Sequence, residues 1–116
     1  MILAIQGTRK FDDYTIFMRA MGTALYELKD GDRELVVYSA GPANINSFCQ
    51  EFFGVAHPGL KGRGIKTKIV KVPPKYIREN IHDVDYLAYF SKPKEPVSDL
   101  VDLAEAKDIE IGIYRY

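Results

Sequence analysis

Ile2-Leu3-Ala4-Ile5-Gln6-Gly7-Thr8-Arg9 decides how this chain is read. Its apolar run is continuous rather than alternating, which suits a strand buried on both faces. Glycine, a hydroxyl and a guanidinium follow at once. Four more runs have the same character: Leu35-Val36-Val37-Tyr38 after Glu34, Lys68-Ile69-Val70-Lys71-Val72, Tyr86-Leu87-Ala88-Tyr89-Phe90 after Asp85, and Ile109-Glu110-Ile111-Gly112-Ile113-Tyr114.

Helical spacing fills the gaps between them. Tyr14, Phe17, Met18, Met21, Leu25 and Leu28 recur at three and four, with Asp12 and Asp13 at the N-cap and Gly31 past the end. Ile45, Phe48, Cys49 and Phe52 form a second stripe, with Pro42 in its first turn and Gly54 at its stop. Tyr76, Ile77 and Ile81 after Pro73-Pro74 predict a short third helix. Val97, Leu100, Val101 and Ala104 predict a fourth, opening at Pro96. Strands alternating with helices imply right-handed crossovers and a parallel sheet. The expected fold is α/β: a three-layer Rossmann-like sandwich over residues 1–116, with a five-stranded parallel sheet in the order 3-2-1-4-5.

That topology says where a ligand would sit. Open α/β sheets bind beyond the carboxyl ends of the strands, where the strand order reverses. Gly7, Thr8 and Arg9 follow strand 1; Ser39, Ala40 and Gly41 follow strand 2; Ser91 and Lys92 follow strand 4. A glycine, a hydroxyl and a guanidinium suit phosphate or carboxylate. The second helix starts just after Gly41, and a helix N-terminus favours an anion. Asn44 and Asn46 add side-chain donors there, and Arg78, Asn80 and Lys92 complete the rim.

The segment Gly7-Thr8-Arg9-Lys10-Phe11-Asp12-Asp13-Tyr14 resembles the "G-S-R-x-F-x-D-Y" opening of the YspA-like branch of the SLOG superfamily. Ser39-Ala40-Gly41-Pro42-Ala43-Asn44-Ile45-Asn46 is similar to that branch's "S-G-G-A-x-G-A-D". Arg78, Asn80 and the run Asp85 to Phe90 loosely match its later "R-N" and "A-D-x-x-x-A-F". The resemblance implies a Rossmann-like domain that binds a nucleotide or a nucleotide-derived molecule at the rim. This chain also departs from the pattern. Ala40-Gly41 replaces a glycine pair, Asn46 replaces an acid, and Lys94-Glu95-Pro96-Val97 stands where many members carry Gly-Thr. The "P-G-G-x-G-T-x-x-E" of the LOG phosphoribohydrolases is absent. Cleaving an N-glycosidic bond needs a placed carboxylate. Glu51 and Asp99 are candidates by position only, so no catalytic residue is assigned.

The chain has 116 residues with 47% hydrophobic and 28% charged, ordinary globular values that fit one domain. Cys49 is the single cysteine, on an apolar stripe, which argues for a buried structural thiol in a reducing, cytoplasmic setting. His57 and His82 share no ligand pattern, so no metal or other cofactor is expected. No apolar run is long enough to span a membrane. Lys+Arg and Asp+Glu both number 16, a balance of zero that hides a pattern. Residues 1–51 sum to −2, residues 52–78 to +7 with no acid, and residues 79–116 to −5. Pro58 to Gly64 reads as a mobile, glycine-rich loop beside the rim.

Three functions follow. The leading one is a small nucleotide-derivative binding protein without robust catalysis. Behind it stands an interaction or structural protein on a degenerate nucleotide-binding fold; the third is an N-glycosidase-like enzyme. Besides a small ligand, the candidate partners are a second copy of the chain and, less favoured, a nucleic-acid backbone met through Lys61 to Arg78.

Overall fold

The computed structural model describes every residue except 9, 30, 42 and 93–98. Its elements are β1 (Ile2–Gly7), α1 (Tyr14–Leu25), β2 (Glu34–Ser39), α2 (Ala43–Gly62), β3 (Lys66–Lys71), α3 (Pro74–Glu79), β4 (Tyr86–Ser91), α4 (Asp99–Ala106) and β5 (Glu110–Arg115), with a 3-10 turn (Ile81–Asp83) before β4. The five strands form one parallel sheet in the order β3-β2-β1-β4-β5. This is the Rossmann-like sandwich that the apolar runs predict.

The order of the strands distributes the helices. Connections from β1 to β2 to β3 step one way; the connection from β3 to β4 steps back across β1. Right-handed crossovers then put α1 and α2 on one face and α3 and α4 on the other. The two cores agree. Leu3, Ile5, Leu35, Val37 and Phe90 pack against Phe17, Met21, Ile45 and Cys49 of α1 and α2. Ala4, Leu87 and Tyr89 pack against Ile77, Leu100, Val101 and Ala104 of α3 and α4. β4 is buried at all six positions, as a central strand between two helical layers must be.

Local signals at helix ends mostly act as expected. Asp13 caps α1 by accepting from the Ile16 amide at 3.1 Å. Pro73 and Pro74 start α3. Pro96 and Val97, expected at the start of the fourth helix, lie outside the described residues.

Two expectations fail. α1 ends at Leu25, capped by Tyr26, and Leu28 is buried from the turn beyond rather than from the helix. More consequentially, α2 does not stop at Gly54. It runs 20 residues to Gly62, with Pro58 inside it. The stripe continues through Phe53 and Leu60, both at or below 5% exposure. Burying two such side chains contributes about 1.5–3 kcal/mol each. That offsets a local cost of about 3 kcal/mol for an internal proline and about 1 for each glycine. Residues 58–64 are therefore not a loop beside the rim. An antiparallel helix that starts at the carboxyl end of β2 must end at the amino end of β3, so this stretch sits at the opposite end of the sheet.

Candidate functional site

The strand order reverses between β1 and β4, and the turns beyond them interlock there. The Thr8 amide donates to the Phe90 carbonyl at 3.0 Å, and the Phe11 amide to the Thr8 carbonyl at 3.1 Å. Gly7 is required by a close approach. A Cβ there would lie 2.6 Å from Ile45 Cδ1 and 3.1 Å from Phe90 Cβ. The glycine of the motif thus serves the packing of α2 on the sheet.

Aromatic rings fill the crevice below this turn. Phe11, fully buried, stacks on Phe90 with centroids 4.4 Å apart, and meets Tyr116 edge-on at 4.9 Å and Phe48 at 6.0 Å. The hydroxyls of Thr8 and Tyr116 are hydrogen-bonded to each other. The Tyr116 amide donates to the Ser91 carbonyl at 3.2 Å. Arg115 folds over the end of β4, its guanidinium 2.6 Å from Ser91 Oγ and 2.9 Å from the Lys92 carbonyl. The tail therefore packs on the sheet.

The turn from β2 into α2 is held laterally. Ser39 Oγ donates to Asn46 Oδ1, and Asn44 Nδ2 donates to the Phe11 carbonyl at 3.2 Å. Ala40 N bonds the Ile5 carbonyl at 2.9 Å. Gly41 takes a φ of 66°, the left-handed region where a side chain is strained. Neither Ser39 nor Asn44 turns back to cap the helix. Among the described residues no side chain accepts from the first-turn amides of α2.

The expected site is therefore brought together in part. Gly7, Thr8, Ser39, Ala40, Gly41, Asn44, Ser91 and Lys92 all converge on the carboxyl ends of β1, β2 and β4. Arg9 lies outside the described residues. Arg78 ties α3 to the first residue of α4 through Asp99. Asn80 stands past the end of α3, with its amide on the Tyr76 carbonyl at 2.9 Å. Asp99, a candidate acid, is the partner of Arg78, and Glu51 is exposed on α2.

Cys49 is buried beneath Ser39. Burial pushes its thiol up to about 11, against a smaller opposing pull from the Ser39 hydrogen bond. A thiol so held is a poor nucleophile at neutral pH. Burial also raises the Tyr86 hydroxyl well above the usual phenol range, helped by its 2.8 Å hydrogen bond to Tyr114.

Residue reading missed Phe11 and Tyr116 as the parts that close the crevice. The available signal was an aromatic tail following the strand beside β4. Other parts of the surface carry cavities. One of about 320 Å³ at the amino edge of the sheet is lined by Met1, Glu27, Lys29, Asp32, Asp85 and Glu110. Two of its four acids are engaged locally: Asp85 accepts from Ile2 N and Asp32 from Lys29 N, both at 2.7 Å. Among the described residues no cluster of His, Cys, Asp or Glu could hold a metal ion, and no helix is long and apolar enough to cross a membrane. No protein-family model, curated protein or solved structure matches the chain.

Proposed function

We infer that this chain is a binding domain of SLOG type, without robust catalysis, that holds the phosphate of a nucleotide or nucleotide-derived molecule at the carboxyl rim of its sheet. The observation that carries the reading is the turn into α2. Gly41 adopts a positive φ, Ser39 and Asn44 bond sideways, and the first amides of α2 are left uncapped beside Thr8. Uncapped amides at the positive end of a helix of 20 residues favour an anion. The rim's side chains are bonded to one another, so recognition would rest on main-chain donors, with Lys92 as a nearby cation. Such a protein would act as a sensor or carrier of its ligand.

The test is a thermal unfolding series with nucleoside mono- and diphosphates and ADP-ribose. Ligand at about 100 times its Kd adds about 2.7 kcal/mol, a rise of several degrees in Tm. Asn46→Asp keeps an acceptor for Ser39 but places a carboxylate in the first turn of α2. It should raise the Tm of the free protein and abolish the ligand's shift. No shift with any of these compounds at millimolar concentration would sink the reading.

The packed crevice favours a second reading, an interaction protein on a degenerate nucleotide-binding fold. Phe11, Phe90 and Tyr116 occupy the space where a base or ribose would enter. A silent ligand panel with intact folding would move the weight to it.

A further inference from the structure

β3 is one of the two outermost strands of the sheet, and among the described residues it pairs only with β2. In a parallel ladder alternate residues bond alternate neighbours. The Lys66 amide bonds the Arg33 carbonyl and the Val72 amide bonds the Ser39 carbonyl, both at 3.0 Å. The even-numbered residues between them therefore face β2. Thr67, Ile69 and Lys71 turn their amides and carbonyls outward, to an edge with no neighbour.

That edge has a grooved wall. Gln50, Phe53, Gly54 and His57 of α2, with Thr67 and Ile69 of β3, line a pocket of about 330 Å³. Gly54 leaves the wall open, since nothing lies within 4 Å of where its Cβ would be. Thr67 Oγ1 is buried there without a hydrogen-bond partner. A second pocket of about 300 Å³ shares His57 with it and lies at the start of β3, beside Lys61 and Ile65.

The edge also carries one sign of charge. Lys61, Lys66, Lys68 and Lys71 are exposed, and among the described residues none has a carboxylate partner. Two of the other three basic residues of the block are neutralised: Lys75 pairs with Glu79 and Arg78 with Asp99. Lysines on an edge strand repel a second copy of that strand, because antiparallel self-pairing would set them against one another. The same charges attract carboxylates.

We propose that the β3 edge docks an extended acidic segment of a partner protein as a sixth strand. Its main chain bonds the outward groups of Thr67, Ile69 and Lys71. Its small apolar side chains lie over Ile69 and Gly54, and its carboxylates face Lys66 and Lys68 on the opposite side. The alternation of a strand matches this division of apolar groove and cationic face. A nucleic-acid backbone would use the lysines but neither the groove nor the strand amides, so the peptide is the better fit. This site is separate from the rim, so its test stands or falls without it.

The experiment is residue-resolved hydrogen exchange on the full chain, with and without a short synthetic peptide alternating Glu and Val. In the free protein the amides of Thr67, Ile69 and Lys71 should exchange freely. With peptide they should slow by at least about tenfold. Replacing Lys66→Glu together with Lys68→Glu, in a chain shown to be folded by circular dichroism, should remove the effect. No slowing at about 1 mM peptide overturns the proposal. Slowing of the same amides as protein concentration alone rises would assign the edge to a second copy and overturn it too. So would binding of a single-stranded oligonucleotide at these lysines while the peptide leaves the amides unchanged.

Discussion

The crevice between β1 and β4 and the outer edge at β3 belong to one parallel sheet but treat their polar groups in opposite ways. In the crevice nearly every donor is turned inward. Thr8 bonds Phe90 and Tyr116, Asn44 bonds Phe11, Arg115 bonds Ser91 and Lys92, and aromatic rings fill the volume between them. At β3 a row of amides and carbonyls faces out beside four lysines that have no carboxylate partner among the described residues. The difference teaches that convergence at the switch point does not by itself make a pocket. Where side chains are already paired, the ligand proposed above would have to be met by the main chain, as at the start of α2. Where they are not, the surface retains both charge and backbone for a partner.

The sharpest way to break this contrast is to empty the crevice. Phe11 is fully buried and packs on Phe90, Tyr116 and Phe48. Phe11→Ala should cost about 3–5 kcal/mol in urea unfolding. If the cost is instead below about 1 kcal/mol, the rings are not a structural plug, and Phe11 becomes available to a ligand.

Gly7→Ala probes the same region from the backbone. The added Cβ would lie 2.6 Å from Ile45 Cδ1, against a side chain that is itself fully buried. Crowding of this kind costs about 1–3 kcal/mol. The expected pattern is lower stability with the ligand response retained by whatever fraction remains folded. A stable Gly7→Ala variant that had lost ligand response would mean that the glycine admits a ligand rather than α2.

These two residues also mark how far sequence reading reaches. The strands, their order and the placing of Thr8, Ser39 and Ser91 on one rim were legible, because continuous apolar runs and crossover handedness are properties of short segments and of topology. The length of α2 was not. Gly54, Pro58 and Gly59 are local stop signals, and what overrides them is the burial of Phe53 and Leu60 against other elements. The filling of the crevice was hidden for a related reason: Phe11, Phe90 and Tyr116 lie on three separate segments, and only the folded sheet brings them together. Within the motif, Asp13 as a helix cap was readable from its neighbours, whereas the contact that makes Gly7 necessary comes from Ile45.

Lys68→Glu should have the smallest effect on stability and is the complement of the Phe11 test. Lys68 is exposed on the edge strand and has no carboxylate partner among the described residues, with Lys66 on the same side of the strand. Reversing its charge removes one repulsion and breaks no hydrogen bond of the ladder, whose bonds run through the main chain. The change in unfolding free energy should stay within about 0.5 kcal/mol. A loss above about 1 kcal/mol would mean that the lysine stem is packed into the fold, and the edge would then be a structural surface like the crevice. A neutral result keeps the two regions distinct. The crevice is the part of the sheet the fold depends on, and the β3 edge is a part whose charge can change without disturbing it.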